Sequence, residues 1–269
     1  MNYAAPPSRD SQVALENIDD FYSAMLEYYD ELFPLDPAAA GFFSALKQEI
    51  ASSSTILPPP MCRYLGVGCA TGNLENQLAG EGFDVTGMDR NASMIETAKR
   101  RMKRGFSTIR FFELSSIDMK RFLKKGSFNI VACLENTLPY ISDETLLRKF
   151  FYDAHELLAP GGKLVIHTLN YDYLRDVHPV ILPERSSIRV SLSRTLIPSE
   201  EGRVLLDASL ELGNGRKLVL QRKTSLMPVT AGQIEAFARE AGFASCTLFG
   251  GFNGSSWSQE SPSTIAVLG

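Results

Sequence analysis

The sequence has few cysteines and histidines, and they are not spaced for a metal site. Its 269 residues include four cysteines, with no CxxC pair, and three histidines. Structural zinc sites and disulfide frameworks usually show such pairs or regular spacings. We therefore predict no metal, and we interpret the cysteines in or beside apolar runs as buried thiols.

The sequence also lacks an excess of basic residues. It has 27 Lys and Arg residues against 31 Asp and Glu residues, which leaves a net charge of −4 at pH 7. Proteins that bind nucleic acids usually carry a basic patch and a high pI. The composition therefore favours a small-molecule substrate and no nucleic-acid partner.

Long apolar runs are missing as well. A membrane helix needs about 18 or more consecutive apolar residues, and a secretory leader needs a shorter apolar run near its start. Neither pattern is present, although 44% of the residues are hydrophobic. We expect a cytoplasmic protein without a membrane partner and with a large core.

Strand and helix patterns alternate from residue 61 onward. Short apolar runs are each followed by a stretch whose apolar residues are three or four positions apart. The run SFNIVACL (127–134) is almost continuously apolar, which is typical of a central strand in a parallel sheet. This order predicts an α/β fold with a doubly wound, mostly parallel sheet.

The pattern changes to period two between residues 186 and 227, with turn signals at PSEEG and GNG. This predicts a small antiparallel β insert, and the last two strands of the chain should also be antiparallel. We expect four regions in all. They are a flexible amino-terminal segment (1–15), a helical cover and linker (16–60), an α/β domain (61–172 and 228–269) and the insert (173–227).

A glycine-rich turn follows the first strand of the α/β domain. It contains Gly66, Gly68 and Gly72, and glycines in such a turn let the backbone approach a ligand closely. A dinucleotide fingerprint has the spacing G-x-G-x-x-G, and here the third glycine is one position late. Asp89, at the end of the second strand, suits a ribose in either class of nucleotide cofactor.

Four segments in order resemble the class I S-adenosylmethionine-dependent methyltransferases. They are YLGVGCATG (64–72), GMDRNASMIETAK (87–99), FNIVACLENTLPYI (128–141) and LLAPGGKLVIHTLNYD (157–172). Both ends of the chain also resemble small-molecule members near the glycine and sarcosine N-methyltransferases. The resemblance implies a Rossmann-like methyltransferase fold whose seven-stranded sheet ends in an antiparallel strand.

The resemblance implies methyl transfer from S-adenosylmethionine to an amine or hydroxyl of a small molecule, with S-adenosylhomocysteine as product. One alternative is a non-catalytic protein that binds these ligands, or an interaction protein with a degenerate site. An NAD(P)-dependent oxidoreductase and a tRNA or protein methylase are less favoured. We interpret the insert as a lid over the substrate pocket and as a candidate homodimer surface.

The resemblance also assigns residues to the site. The cofactor-binding candidates are Tyr29, Gly66, Gly68, Cys69, Ala70, Gly72, Asp89, Arg90, Met94, Ser115, Ser116, Ile117, Leu134 and Glu135. The substrate candidates are Asn136, Tyr140, Asn170, Tyr171, Tyr173 and Trp257. Glu135 and His178 are the candidate catalytic residues. Core packing is the alternative for Tyr29 and Met94, and a solvent-exposed loop acid is the alternative for Glu135.

Three positions depart from the family's pattern. Gly66 stands where the family has an acid that helps to hold the loop and the methionine ammonium, and Ala70 replaces a glycine. Ser115 lies where an acid usually follows the third strand. Losing one hydrogen bond to a charged group costs about 1.5–3 kcal/mol, so we expect retained but weakened cofactor binding. Gly66→Asp should tighten binding unless the loop has repacked around the glycine.

Overall fold

The structure is a computed structural model, and it describes residues 12–53, 60–102, 108–174, 179–199 and 202–269. The chain divides into two compact units. The first comprises residues 1–34 with 178–225, and the second comprises residues 35–177 with 226–269.

The elements of the described residues are numbered in chain order. The strands are β1 (Gln12–Leu15), β2 (Arg63–Val67), β3 (Asp84–Asp89), β4 (Ile109–Glu113), β5 (Phe128–Cys133), β6 (Leu158–Leu169), β7 (Val180–Ile181), β8 (Arg185–Ser186), β9 (Val190–Pro198), β10 (Val204–Leu212), β11 (Lys217–Leu220), β12 (Thr224–Leu226), β13 (Cys246–Phe249) and β14 (Ser263–Leu268). The α-helices are α1 (Ile18–Ala24), α2 (Tyr29–Leu32), α3 (Pro37–Ser52), α4 (Asn73–Gly80), α5 (Ala92–Arg101), α6 (Met119–Phe122), α7 (Glu144–Leu157), α8 (Tyr171–Leu174) and α9 (Ala231–Ala241). Short 3-10 helices span Leu26–Tyr28 and Leu138–Tyr140.

The second unit contains a seven-stranded sheet in the order β13-β14-β6-β5-β2-β3-β4. Neighbouring strands from β6 to β4 are parallel, whereas β14 is antiparallel to both β6 and β13. The predicted α/β sheet and its antiparallel last pair are therefore confirmed. The long connections between the parallel strands carry helices, as parallel pairing requires.

Apolar side chains cover both faces of this sheet. Along β2, Leu65 and Val67 pack into one core cluster, whereas Tyr64 packs into another, because successive strand residues point to opposite faces. Helices α7 and α9 contribute Phe151 and Phe237 to the first cluster, and helix α3 contributes Phe43 to the second. The sheet is therefore doubly wound, as the sequence predicts.

The first unit contains the antiparallel insert. Its sheet has the order β1-β11-β10-β9-β7, with β12 on β10 and β8 on β9. Strands β9, β10 and β11 are antiparallel, which confirms the predicted insert. In this unit Arg189 of the insert forms ion pairs with Glu27 and Glu31, so the first helical residues belong with the insert.

The boundaries of the regions differ from the expected ones at two places. Residues 12–15, expected in a flexible segment, form β1, because they pair in parallel with β11 from Gln12↔Lys217 to Leu15↔Leu220. Helix α3 lies within the expected cover of residues 16–60, but its apolar face packs on the second unit's sheet. Residues 1–11 and 54–59 lie outside the described residues.

The start of α9 allows a test of the fold's local determinants. Thr230 caps the helix by accepting from the N–H of Gln233, and the Gln233 side chain accepts from the N–H of Thr230. Thr230→Ala removes half of this capping box, so we expect a loss of about 1 kcal/mol of unfolding free energy. Thermal melting should show a drop of about 2–4 °C.

The matched control is Thr145→Ala, because Thr145 is exposed within α7. It should leave the melting temperature nearly unchanged, since alanine suits a helix at least as well as threonine. Equal melting temperatures for Thr230→Ala and the control would contradict this role of the cap.

Candidate functional site

The candidate site lies at the carboxyl edge of the parallel strands in the second unit. Strands β2, β3 and β5 are neighbours, with Val67 paired to Met88 on one side and to Cys133 on the other. The loop 68–72 follows β2, Asp89 ends β3, and residues 134–136 follow β5. Ligands of open α/β sheets bind outside these carboxyl ends.

Two glycines give the loop its path. Gly68 and Gly72 have φ angles of 74° and 70°, in the left-handed region that glycine adopts without strain. A Cβ at Gly68 would lie 2.5 Å from Cγ2 of Thr137, and one at Gly72 would lie 2.5 Å from Cζ of Phe111. Both the dihedral angle and the packing therefore require glycine at these positions.

The amides of the loop are used within the protein. The N–H groups of Gly68 and Cys69 both donate to the carbonyl of Met88, at 2.8 and 2.9 Å. The Gly72 N–H donates to the Cys69 carbonyl at 2.9 Å. A dinucleotide loop instead directs such N–H groups at a pyrophosphate, so the geometry favours a cofactor without phosphates.

Asp89 joins the loop to the next helix. One carboxylate oxygen accepts from the N–H of Ala70 at 3.0 Å, and the other accepts from the N–H of Asn91 at 2.8 Å. Asn91 in turn caps α5 by accepting from the N–H of Met94 at 3.1 Å. These bonds hold the carboxylate beside the loop at the end of β3, where a ribose-binding acid is expected.

A second acid lies at the end of β2, and the sequence analysis did not single it out. A Cβ built on Gly66 would lie 2.1 Å from Oε1 of Glu75 and 3.2 Å from Cε1 of Tyr64. Glu75 belongs to the first turn of α4 and is only 4% exposed. The Glu75 carboxyl group therefore occupies the space that a side chain at position 66 would fill.

The environment of Glu75 disfavours its charged form. The pKa of Glu75 is raised to about 8, chiefly by burial; a backbone hydrogen bond lowers it in part, and the negative charge of Asp89 adds to the rise. No lysine or arginine among the described residues offsets this burial. A strongly perturbed pKa at the ligand-binding edge of a sheet is typical of a functional group.

The backbone after β5 is held in an uncommon conformation. Glu135 and Asn136 have φ angles of 50° and 60°, which cost about 1–3 kcal/mol each and persist where the surroundings hold them. The N–H of Asn136 donates to the His167 carbonyl at 3.1 Å. The exposed Glu135 carboxylate lies 3.4 Å from Nδ1 of His167.

Comparisons with known proteins agree with this geometry. A methyltransferase domain model matches residues 65–162. A ubiquinone biosynthesis O-methyltransferase of Xanthomonas axonopodis is 27% identical over 61% of this chain and 64% of that protein. A glycine/sarcosine N-methyltransferase of Parasynechococcus marenigrum is 25% identical over 70% of this chain and 65% of that protein.

A similar solved structure extends the likeness in fold. The CcbJ methyltransferase of Streptomyces caelestis has a TM-score of 0.74 over 91% of this chain and 95% of that chain, at 17% sequence identity. The chain is similar to the class I S-adenosylmethionine-dependent methyltransferases in the matched domain and in fold. S-adenosylmethionine is the cofactor of this family. The chain spans 40 to 65% of the length of the curated relatives it matches.

Several residues predicted to line the substrate pocket have partners within the protein. The Asn136 side chain accepts from Thr168 Oγ1 at 2.8 Å and donates to the hydroxyl of buried Tyr171 at 3.2 Å. The Nε1 of Trp257 donates to Thr264 Oγ1 at 2.9 Å. These contacts orient the side chains, and a role in substrate binding stays a prediction.

Asn170 is the clearest example of such an anchored residue. It is 1% exposed, and its amide nitrogen lies 3.0–3.2 Å from the carbonyl oxygens of Ser258, Gln259 and Ser261. Asn170 thereby ties the end of β6 to the segment before β14. Its observed contacts hold the backbone between these two segments.

The remaining predicted residues differ in exposure and position. Met94 is buried, Arg90 is exposed, and Tyr173 is 55% exposed. Partly buried positions at or just after the strand ends are occupied by Cys69, Ser115, Ser116, Ile117, Leu134 and Tyr140. Tyr29 belongs to the first unit, where its ring stacks on Phe33 at 4.9 Å. His178 lies outside the described residues.

The described residues carry neither a metal-ligand cluster nor a helix suited to a membrane. Within 12–53, 60–102, 108–174, 179–199 and 202–269, there is no group of His, Cys, Asp and Glu side chains that could hold a metal ion. Across the same part of the chain, helices of the length and apolarity needed to cross a bilayer are missing.

Ala70 offers a test of backbone strain in the loop that follows β2. Its φ of 46° lies in the left-handed region, which costs a residue with a Cβ about 1–2 kcal/mol. Ala70→Gly should relieve this strain and raise the melting temperature by about 2 °C or more. Ala92→Gly, at the exposed start of α5, should instead lower it. A lower melting temperature for both variants would contradict backbone strain at Ala70.

Glu75 should make the ligand-free protein less stable as the pH rises. Its pKa of about 8 in the folded protein lies above the ordinary value of 4.5. Its contribution to stability is therefore fully present below about 4.5 and is lost as the pH rises towards 8. Melting temperatures measured across this window should decline less for Glu75→Gln than for the parent chain.

The exposed Glu96 on α5 provides the control for this measurement. The melting temperature of Glu96→Gln should decline with rising pH as that of the parent chain does. Parallel pH profiles for Glu75→Gln and the parent chain would show that Glu75 titrates normally.

Proposed function

We propose that this chain transfers a methyl group from S-adenosylmethionine to an amine or hydroxyl group of a small molecule. The observation that carries the proposal is the pair of fixed elements at the carboxyl edge. In the loop 68–72, the N–H groups of Gly68, Cys69 and Gly72 donate to backbone carbonyls of the protein. Asp89 is fixed beside this loop. This arrangement suits a nucleoside without phosphates.

The residues present fit such a cofactor. Asp89, at the end of β3, would accept hydrogen bonds from the ribose hydroxyls, and the backbone after β5 at Leu134 and Glu135 would line the same crevice. When bound, S-adenosylmethionine supplies an electrophilic methyl group on a positively charged sulfur. The chain's main task is to hold the acceptor in line with this methyl group and to exclude water.

Glu135 is the base that we propose for an acceptor that arrives protonated. Its exposed carboxylate extends from the carboxyl end of β5, and Nδ1 of His167 lies 3.4 Å away. The left-handed backbone conformation of Glu135 and Asn136 fixes the point from which the Glu135 side chain extends. A positioned base contributes about 10²–10⁴-fold to a rate when a proton must leave.

The charge of the chain and the names of its relatives support the nature of the acceptor. The net charge of −4 favours a small acceptor over a nucleic acid. The relatives are named for N-methylation and for O-methylation, so both an amine and a hydroxyl belong in the proposal. A homodimer through the insert and a cytoplasmic location stay predictions.

Calorimetry and turnover together test this function. The purified chain should bind S-adenosylmethionine and S-adenosylhomocysteine but not NADH. With a panel of small amines and alcohols it should then release S-adenosylhomocysteine. Binding of NADH alone would overturn the proposal, and binding of the adenosyl ligands without turnover on any acceptor would favour the non-catalytic alternative.

A variant pair tests the role of Glu135. Glu135→Gln should lower turnover by about 100-fold or more at neutral pH, with the affinity for S-adenosylhomocysteine changed little. Glu113→Gln alters an exposed acid at the end of β4 and serves as the control. Equal turnover by both variants would remove Glu135 from the mechanism.

A further inference from the structure

Glu75 and Gly66 form a matched pair across the turn that follows β2. The distance of 2.1 Å between Oε1 of Glu75 and a Cβ built on Gly66 is much shorter than any real contact. A side chain at position 66 and the present position of the Glu75 carboxyl group therefore exclude each other. Because glycine has no side chain, position 66 leaves room for the carboxyl group of Glu75.

The Glu75 carboxyl group lies close to the other groups of the loop. Burial and, after it, the charge of Glu75 raise the pKa of Cys69 in the loop and that of Tyr64 on β2, and the charge of Asp89 in turn raises the pKa of Glu75. These residues come from β2, the loop and the end of β3, which converge at the ligand-binding edge. Glu75 thus lies at that edge rather than at the far end of α4.

The ring of a buried tyrosine lies next to the same space. Tyr64 is 0% exposed, and within the described residues its hydroxyl has no hydrogen-bond partner. Its ring lies 3.2 Å from the Cβ position of Gly66. Buried polar groups without partners are rare in native proteins and call for an explanation such as a ligand or an ordered water.

We propose that Glu75 provides, from the first turn of α4, the carboxylate that binds the ammonium group of S-adenosylmethionine. This inference rests on the proposed function, because it takes S-adenosylmethionine as the ligand. A buried carboxyl group without a cationic neighbour becomes favourable in its charged form when a cation arrives. The amino-acid end of the cofactor brings that cation to the carboxyl edge of β2.

The pairing changes the expectation for position 66. Gly66→Asp was expected to tighten binding unless the loop had repacked around the glycine, and the structure shows Glu75 in that space. The single substitution places two carboxyl groups in a space for one. It should therefore lower the melting temperature without tightening cofactor binding.

Comparing the affinities for two ligands separates the role of Glu75 in binding from an effect on folding. S-adenosylhomocysteine carries the ammonium group, whereas 5′-methylthioadenosine lacks the amino-acid end. Glu75→Gln keeps the side-chain volume, and calorimetry should show that it binds S-adenosylhomocysteine about 10–100-fold more weakly. Its affinity for 5′-methylthioadenosine should stay within about threefold of the parent value, because that ligand does not reach the carboxylate.

The results that would contradict the role of Glu75 differ from those that would contradict the proposed function. Glu96→Gln, an exposed acid on α5, should leave both affinities unchanged. If the parent chain binds S-adenosylhomocysteine and Glu75→Gln binds it equally well, the role of Glu75 is overturned while the function stands. If the parent chain binds neither ligand, the proposed function itself fails.

A carboxylate swap provides the second variant. Glu75→Ala vacates the space beside position 66, and Gly66→Asp then returns a carboxylate to it from β2. The double variant should recover most of the affinity for S-adenosylhomocysteine that Glu75→Ala loses, to within about fivefold of the parent chain. A double variant that binds as weakly as Glu75→Ala, with an unchanged melting temperature, would contradict a shared position for the two carboxylates.

Binding should also depend on pH through Glu75. Because its pKa is about 8 before binding, the affinity of the parent chain for S-adenosylhomocysteine should rise between pH 6.5 and 8, by up to about tenfold per pH unit. The same titration with Glu75→Gln should be nearly flat. Identical pH profiles for the two proteins would overturn the inference.

Discussion

The space beside the α-carbon of Gly66 admits one carboxyl group, and the chemistry of the candidate site depends on which element supplies it. Here that group comes from α4 instead of β2, with Oε1 of Glu75 2.1 Å from the Cβ position of Gly66. The turn between the two elements sets this contact. Gly68 and Gly72 adopt positive φ angles and pack closely against Thr137 and Phe111. Substitution at either glycine would strain the turn that leads into α4 and its carboxyl group.

The two acids of the site have opposite surroundings. Asp89 is partly buried and accepts two backbone hydrogen bonds, which fix its position. Glu75 is buried, and its pKa is raised to about 8. Burial of a carboxyl group is costly unless it is protonated or paired, so ligand-free Glu75 is held mainly in its neutral form at pH 7. A cationic ligand reverses this preference, which couples cofactor binding to proton release.

Much of the fold was predictable because its determinants are local. The alternation of apolar runs and amphipathic stretches predicted the doubly wound sheet, and the change to period two near residue 186 predicted the insert. Strand β1 escaped prediction, since four residues carry no usable periodicity and their pairing with β11 joins positions about 200 apart in the sequence.

The candidate site was predictable in outline but not in its central contact. Asp89 and the loop glycines stand in recognisable segments, and the structure brings them together at one edge of the sheet. Glu75 escaped notice because an acid in the first turn of a helix is ordinarily explained by the helix dipole. Its relation to Gly66 spans a strand, a turn and a helix, so only the folded structure reveals it. Asn170 was likewise predicted to bind the substrate. Only the structure reveals that its side-chain amide donates to three backbone carbonyls.

The central claim is that the carboxylate of the cofactor site comes from α4. The most direct measurement is a crystal structure of the chain with S-adenosylhomocysteine at a pH above 8. The account predicts a Glu75 carboxylate oxygen about 2.7–3.0 Å from the ligand's amino nitrogen, with the ribose hydroxyls on Asp89. An amino nitrogen bonded only to backbone carbonyls and waters, with Glu75 more than about 5 Å away, would contradict it.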